Sequence, residues 1–157
     1  MRAVLPFIFA ATLAGPASGA DSVVIGRGIS NLYFANLPCS PSEICLDSLF
    51  MWVLDSTRSV AGPAIKGTVR ALIAQHVAAT RKFVESAELF VLQPIQDDAL
   101  RKRSGADYYL LSVSPRNENG KYCLTKNPDD LGLKLAKAQV TMDPDSRRYC
   151  FDAALFR

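Results

Sequence analysis

Apolar positions along this chain come in short blocks or alternating runs, separated by Gly, Pro, Asn and Asp. Residues 49–54 (LFMWVL) are all apolar, the pattern of a strand buried on both faces. From residue 65 the period becomes two. Ile65, Val69, Ala71 and Ile73 fall on one side and Lys66, Thr68 and Arg70 on the other, predicting a half-buried strand over 64–76. Gly62 and Pro63 supply the turn between these two strands, and Gly67 predicts a bulge or bend in the second. Residues 88–95 (ELFVLQPI) form a further apolar strand that Pro94 ends or places on an edge.

The remaining elements follow from local signals. Residues 21–45 contain a short β-prone start at Val23 to Ile25, broken by Gly26 and Gly28, and read as an extended arm, a short strand and a disulfide-tied loop. Residues 77–86 read as a connection with turn character. A short helix is predicted over 96–105, capped by Asp97 or Asp98 and stopped by Gly105. Arg101, Lys102 and Arg103 sit where the helix dipole favours cations, which accounts for them without a ligand. Residues 107–114 and 121–125 flank the turn PRNENG and predict a hairpin. A turn at 127–130, a strand near 133–142, a turn at 143–146 and a β-prone stretch at 148–153 predict a second, C-terminal hairpin.

The expected fold is therefore mainly β: a small barrel or a closely related twisted antiparallel sheet, with one short helix and an extra C-terminal hairpin. Over residues 46–125 the order of elements resembles the oligonucleotide/oligosaccharide-binding (OB) fold, a five-stranded barrel with a helix between its third and fourth strands. The resemblance rests on element order, and that fold hosts many functions. In an OB-like barrel the face of the second and third strands carries ligand. This marks Lys66, Thr68, Arg70 and His76 as the candidate binding residues.

Composition adds the compartment. Arg2, an apolar stretch from Val4 to Leu13 and the small residues ending at Ala20 form a signal-peptide pattern, too short to span a bilayer. The expected organisation is a leader at 1–20, an arm and disulfide loop at 21–45 and one β-rich domain at 46–157, periplasmic or secreted and without membrane insertion. Cys39, Cys45, Cys123 and Cys150 all follow the leader and predict two disulfides, Cys39–Cys45 and Cys123–Cys150. They lack the CxxC spacing of a zinc site, so no metal and no cofactor is expected. The net charge of +3 argues against nucleic acid as the partner.

Catalytic chemistry finds little support. A Ser-His-Asp arrangement would have to use His76, the sole histidine, and no GxSxG elbow accompanies it. Glu85, Glu88, Asp97, Asp98 and Asp107 could form a carboxylate pair for glycan hydrolysis. Trp52 could stack on a sugar or base, but its apolar neighbours place it in the core. Tyr108 and Tyr109 must face opposite sides of one strand. The reading these features favour is an exported, disulfide-bonded binding protein without catalytic activity. Its partner would be another protein of the cell envelope or a secreted hydrolase. The alternatives are an OB-like module for glycan or nucleic acid, and an envelope hydrolase with an unrecognised site.

Overall fold

The computed structural model describes residues 20–37 and 47–156. The leader at 1–19 and the Cys39–Cys45 pairing lie outside those residues. The described chain is mainly β. Its strands are β1 (Ser22–Asn36), β2 (Ser48–Ala61), β3 (Gly67–Gln75), β4 (Ala87–Pro94), β5 (Tyr108–Pro115), β6 (Lys121–Leu124), β7 (Val140–Asp143) and β8 (Arg148–Asp152). Helix α1 (Arg81–Ser86) lies between β3 and β4, and α2 (Asp98–Ser104) between β4 and β5.

Strands β1 to β5 form a ring in the order β1-β2-β3-β5-β4, closed by β4 pairing back onto β1 through Ser22–Ile25. Neighbours are antiparallel except β3 and β5, which run parallel where Ala71 and Leu72 meet Tyr108 and Tyr109. The sheet is thus not purely antiparallel. The long crossover that a parallel pair needs is supplied by α1, β4 and α2. Strands β6, β8 and β7 form a separate three-stranded sheet.

Three apolar clusters hold these parts together. Inside the ring, Trp52, Leu54, Val69, Ala71, Phe90, Leu92 and Leu110 pack with Val24, and Val84 of α1 closes one end. On the outer face of the ring, Val23, Leu89 and Val91 meet Tyr122, Leu124 and Phe151 of the small sheet. Under α2, Leu100 packs with Leu72, Ile95 and Ala106 and with partly buried Met51 and Tyr109. Strand β4 is therefore buried on both faces, with Phe90 and Leu92 inward and Leu89 and Val91 outward. That pattern was expected of residues 49–54. In β2 the burial instead alternates: Phe50, Trp52 and Leu54 are buried, while Leu49, Met51 and Val53 are only partly so.

Several expectations need correction. Residues 22–36 are not an arm. They form a strand of 15 residues that pairs with β2 along its length and closes the ring. Its glycines are points of close approach: a Cβ on Gly26 would overlap the Asp55 carbonyl oxygen, and one on Gly28 the Val84 carbonyl oxygen. Bulges at Ile29 and Phe34 each reverse the facing of the following residues, which erases the alternation that would have marked a strand. Gly67 opens β3 with φ 82° rather than bulging its interior. Residues 81–86 are helical, capped by Thr80, whose Oγ1 accepts from Phe83 N.

The 107–125 hairpin is also corrected. Its turn exists, with the Asn117 side chain accepting from Asn119 N and Lys121 N, but β6 pairs with β8 and not with β5. Strand β5 pairs with β4 along its length and with β3 only at Tyr108 and Tyr109. Within 133–142 only Val140 onward is strand. Leu131 and Leu133 are carried into the outer cluster by a 3-10 turn at Pro128–Leu131. Two other expectations are met. Helix α2 spans Asp98–Ser104, with Asp97 accepting from Ala99 N and Leu100 N. Strands β7 and β8 form the C-terminal hairpin. The disulfide Cys123–Cys150 joins directly opposed residues of β6 and β8.

Tyr122 couples the small sheet to the ring. It is 2% exposed, and its hydroxyl donates to Glu88 Oε2 at 2.9 Å, an oxygen that also meets Arg116 at 2.6 Å. Burial first, then the hydrogen bond and the negative charge of Glu88, push the phenol above its ordinary value of 10.0, with Arg116 opposing. A folded value above the unfolded one gives a contribution that is full below about pH 10 and is lost as pH climbs through the raised value. Urea midpoints measured across alkaline pH should therefore fall, and Tyr122→Phe should flatten that fall; an equally steep fall in both chains would refute the assignment.

Candidate functional site

The sequence-predicted binding residues do not converge. Thr68 and Arg70 are exposed on the outward side of β3, and Lys66 is exposed just before the strand. Arg70 reaches toward Gly105 at the end of α2. His76 follows the far end of β3. Ten residues of extended chain separate it from Lys66, roughly 30 Å. There its Nδ1 meets Asp47 Oδ1 at 2.7 Å, with both side chains well exposed.

The candidate carboxylates are each held by a structural partner. Glu85 pairs with Arg81 at 2.7 Å, Asp98 with Arg101 at 3.2 Å, and Asp107 with Arg101 at 3.7 Å. Glu88 is bound by Arg116 and Tyr122, and Asp97 caps α2. Among the described residues no group of three His, Cys, Asp or Glu is placed to hold a metal ion. Trp52 is 1% exposed and fills the ring, edge-on to Phe83 and Phe90.

The outer edge of β1, which the pattern of apolar and polar positions does not mark, stands out. Strand β4 covers that edge only as far as Ile25. Helix α1 then lies against it: Gly28 abuts the Val84 carbonyl, and Asn31 Oδ1 accepts from Ala79 N at 2.8 Å. Beyond Asn31 no further described strand pairs with it. Ile29, Leu32 and Tyr33 are exposed by 48%, 61% and 58%. The Tyr33 ring stands edge-on to Phe50 at 5.9 Å, and its hydroxyl donates to Asn36 Oδ1. From Gly28 to Leu37, GISNLYFANL, there is neither a charge nor a proline. Soluble proteins usually guard such an edge with charge, proline or bulges. Here bulges at Ile29 and Phe34 bend the strand, and the stretch Ser30–Tyr33 between them pairs regularly with β2. The signal in the sequence was this uncharged, aromatic-containing run. The two bulges disguised it.

Where α1 meets this edge, a pocket of about 330 Å³ is lined by Ile29, Ser30, Asn31, Ala79, Arg81, Val84 and Glu85. A second groove, about 370 Å³, is lined by residues that include Leu37, Leu49, Leu100, Arg103 and Tyr109. Among the described residues no helix is long and apolar enough to cross a membrane. Comparison of the chain with family models, curated proteins and solved structures finds no match.

Proposed function

We propose that this is an exported binding protein that recognises another protein of the envelope, or a secreted hydrolase, through the outer edge of β1. The observation that carries the proposal is the uncharged edge at Leu32–Asn36, which no further described strand pairs, with Leu32 and Tyr33 in solvent. An unpaired strand edge offers backbone N–H and C=O groups to an extended partner segment, and flanking apolar side chains add burial. Leu32 and Tyr33 are the anchors, with the Tyr33 ring pre-set by Phe50. The Cys123–Cys150 bridge is compatible with an oxidising compartment, and the leader pattern supports export.

The reading is tested by capture from envelope extract with the native, oxidised chain as bait. Leu32→Arg combined with Tyr33→Arg should abolish capture, because it sets two charges on the edge that must be covered. Lys66→Ala with Arg70→Ala should leave capture intact. A partner retained by the edge variant would refute the proposal.

The second reading is an OB-like ligand module. It is supported by the ring order, the parallel β3–β5 pair and a helix between β3 and β4. The groove beside Tyr109 and Arg103, with Arg70 close by, is where a glycan or oligonucleotide would lie. In that case binding falls in Lys66→Ala/Arg70→Ala and weakens with salt.

A further inference from the structure

Of the seven large apolar side chains exposed among the described residues, five gather around Asn31. Ile29, Leu32 and Tyr33 are its neighbours in β1. Val77 arrives through Gln75, whose Nε2 donates to Asn31 Oδ1 at 3.2 Å and to the Val77 carbonyl at 2.7 Å. Phe83 stands edge-on to Trp52, the residue opposite Asn31 on β2. The other two, Met142 and Leu155, lie in and after the small sheet. Single apolar residues on a surface are ordinary, whereas a group of them marks an interaction site. Charges at this end of the ring are closed on one another. Arg81 meets Glu85 at 2.7 Å and His76 meets Asp47 at 2.7 Å. Arg27 stands opposite Asp55 on β2. Lys82 makes no ion pair among the described residues. One cation is too few to hold an anionic bilayer, which takes roughly four to eight. The strand edge also argues against lipid, because hydrocarbon cannot satisfy its backbone N–H and C=O groups. A polypeptide can.

We propose that the partner lays an uncharged, extended segment on β1 and sets one aliphatic side chain in the pocket between α1 and β1. The backbone pairing rests on the edge-binding reading, and the pocket adds the chemistry of the segment. The edge open to pairing ends at Asn31, where the side-chain oxygen takes Ala79 N and α1 follows. A segment paired along Leu32–Asn36 leaves the strand there. Ile29 is about 10 Å from Leu32 along extended chain, so the same segment reaches the pocket without a turn. The pocket is walled by Ile29, Ala79 and Val84, and its volume of about 330 Å³ has room for a leucine or isoleucine side chain. Arg81 and Glu85 at the rim already hold each other. A charged side chain entering would give up its hydration to compete with that pair, which is unfavourable. Tyr33, Val77 and Phe83 then cover the flanking residues of the segment.

The probe is a phage-displayed library of random linear peptides, panned on the oxidised chain. Enriched peptides should share an uncharged stretch with an aliphatic residue at one fixed place. A synthetic peptide of that sequence is then titrated by fluorescence anisotropy. Replacing its aliphatic residue by Asp should weaken binding at least tenfold. Ile29→Asp in the protein should do the same, because a short carboxylate on that wall cannot swing clear. Ile29 is exposed, so the change spares the core. Val77→Asp, on an exposed connection, gives a second reading where the strand variant fails to fold. Met142→Asp, on the small sheet, should bind as the parent does. Absence of enrichment overturns the proposal, and so does enrichment of charged sequences. Equal binding by parent, Ile29→Asp and Val77→Asp overturns it too. Flotation of the chain with phosphatidylglycerol vesicles, or a dimer in light scattering that Leu32→Arg/Tyr33→Arg abolishes, would put a different occupant on this face and overturn it likewise. Failure of the pocket and failure of the edge are distinguishable. Peptide binding lost only in Leu32→Arg/Tyr33→Arg leaves the edge and removes the pocket. Binding lost only in Ile29→Asp and Val77→Asp leaves the pocket and removes the edge.

Discussion

Gly28→Ala is expected to destabilise the chain by about 3 kcal/mol and to wet Trp52 in the folded state. The α-carbon of Gly28 lies against the backbone carbonyl of Val84, where a Cβ would overlap the oxygen. The obstruction is backbone, so no rotamer change relieves it. Relief requires α1 to lift away from β1. That lift would pull Val84, now 3% exposed, out of the ring interior, and Phe83 off the Trp52 ring. Overpacking of this kind costs about 1–3 kcal/mol, occasionally more, and lost burial of Val84 adds to it. Two measurements read the result. The urea midpoint should drop, and the emission of Trp52 before unfolding should move to longer wavelength. A Gly28→Ala chain with parental stability and emission would show that α1 is not seated on this glycine. The same variant would reshape the pocket between β1 and α1, because α1 supplies one of its walls.

What was legible in the sequence follows from how each element is buried. Strand β3 shows its period of two because one face meets the core and the other meets solvent: Val69 and Ala71 inside, Thr68 and Arg70 outside. Helix α2 is readable because its start and stop are local, set by Asp97 and Gly105. The Cys123–Cys150 pairing is readable because the two Tyr-Cys segments are matched strands. Strand β1 is hidden for the opposite reason. Its glycines look like breaks, but they answer to backbone contacts from β2 and α1, which are distant in sequence. Its two bulges flip the facing of side chains twice. The partner choice of β6 is equally nonlocal, since its partner β8 follows only after β7 in the chain.

The candidate site shows the same division. The polar face of β3 was visible, and it is exposed as expected, but exposure alone does not make a site. Lys66 and His76 sit at opposite ends of the strand. The edge of β1 that no further described strand pairs, with Asn31 and Trp52 facing each other beside it, could not be read until the register of β1 on β2 was known. Trp52 was placed in the core on its apolar neighbours, and the structure puts it there. That its ring N–H has no hydrogen-bond partner among the described residues is the part that a hydrophobicity pattern cannot show.

Replacing both Cys123 and Cys150 by Ala is expected to lower stability by about 3–4 kcal/mol in a single cooperative transition. The bridge spans a sequence separation of 27 residues, and closing a loop of that length removes about this much chain entropy from the unfolded state. Cooperativity follows from where the bridge sits. Its strand neighbours Tyr122 and Phe151 pack edge-on at 6.3 Å in the outer cluster. That cluster is also the outer support of β4, through Leu89 and Val91. The inward residues of the same strand, Phe90 and Leu92, belong to the cluster around Trp52. A loosened small sheet would therefore expose the back of β4 and weaken the ring closure between β4 and β1. Trp52 fluorescence reports the ring, and the tyrosine near-ultraviolet circular dichroism includes the environment of Tyr122. The two should fall together in urea, at a lower midpoint than in the parent. Two separated transitions would show instead that the ring and the small sheet are independent folding units, and that β4 stands without its outer cover.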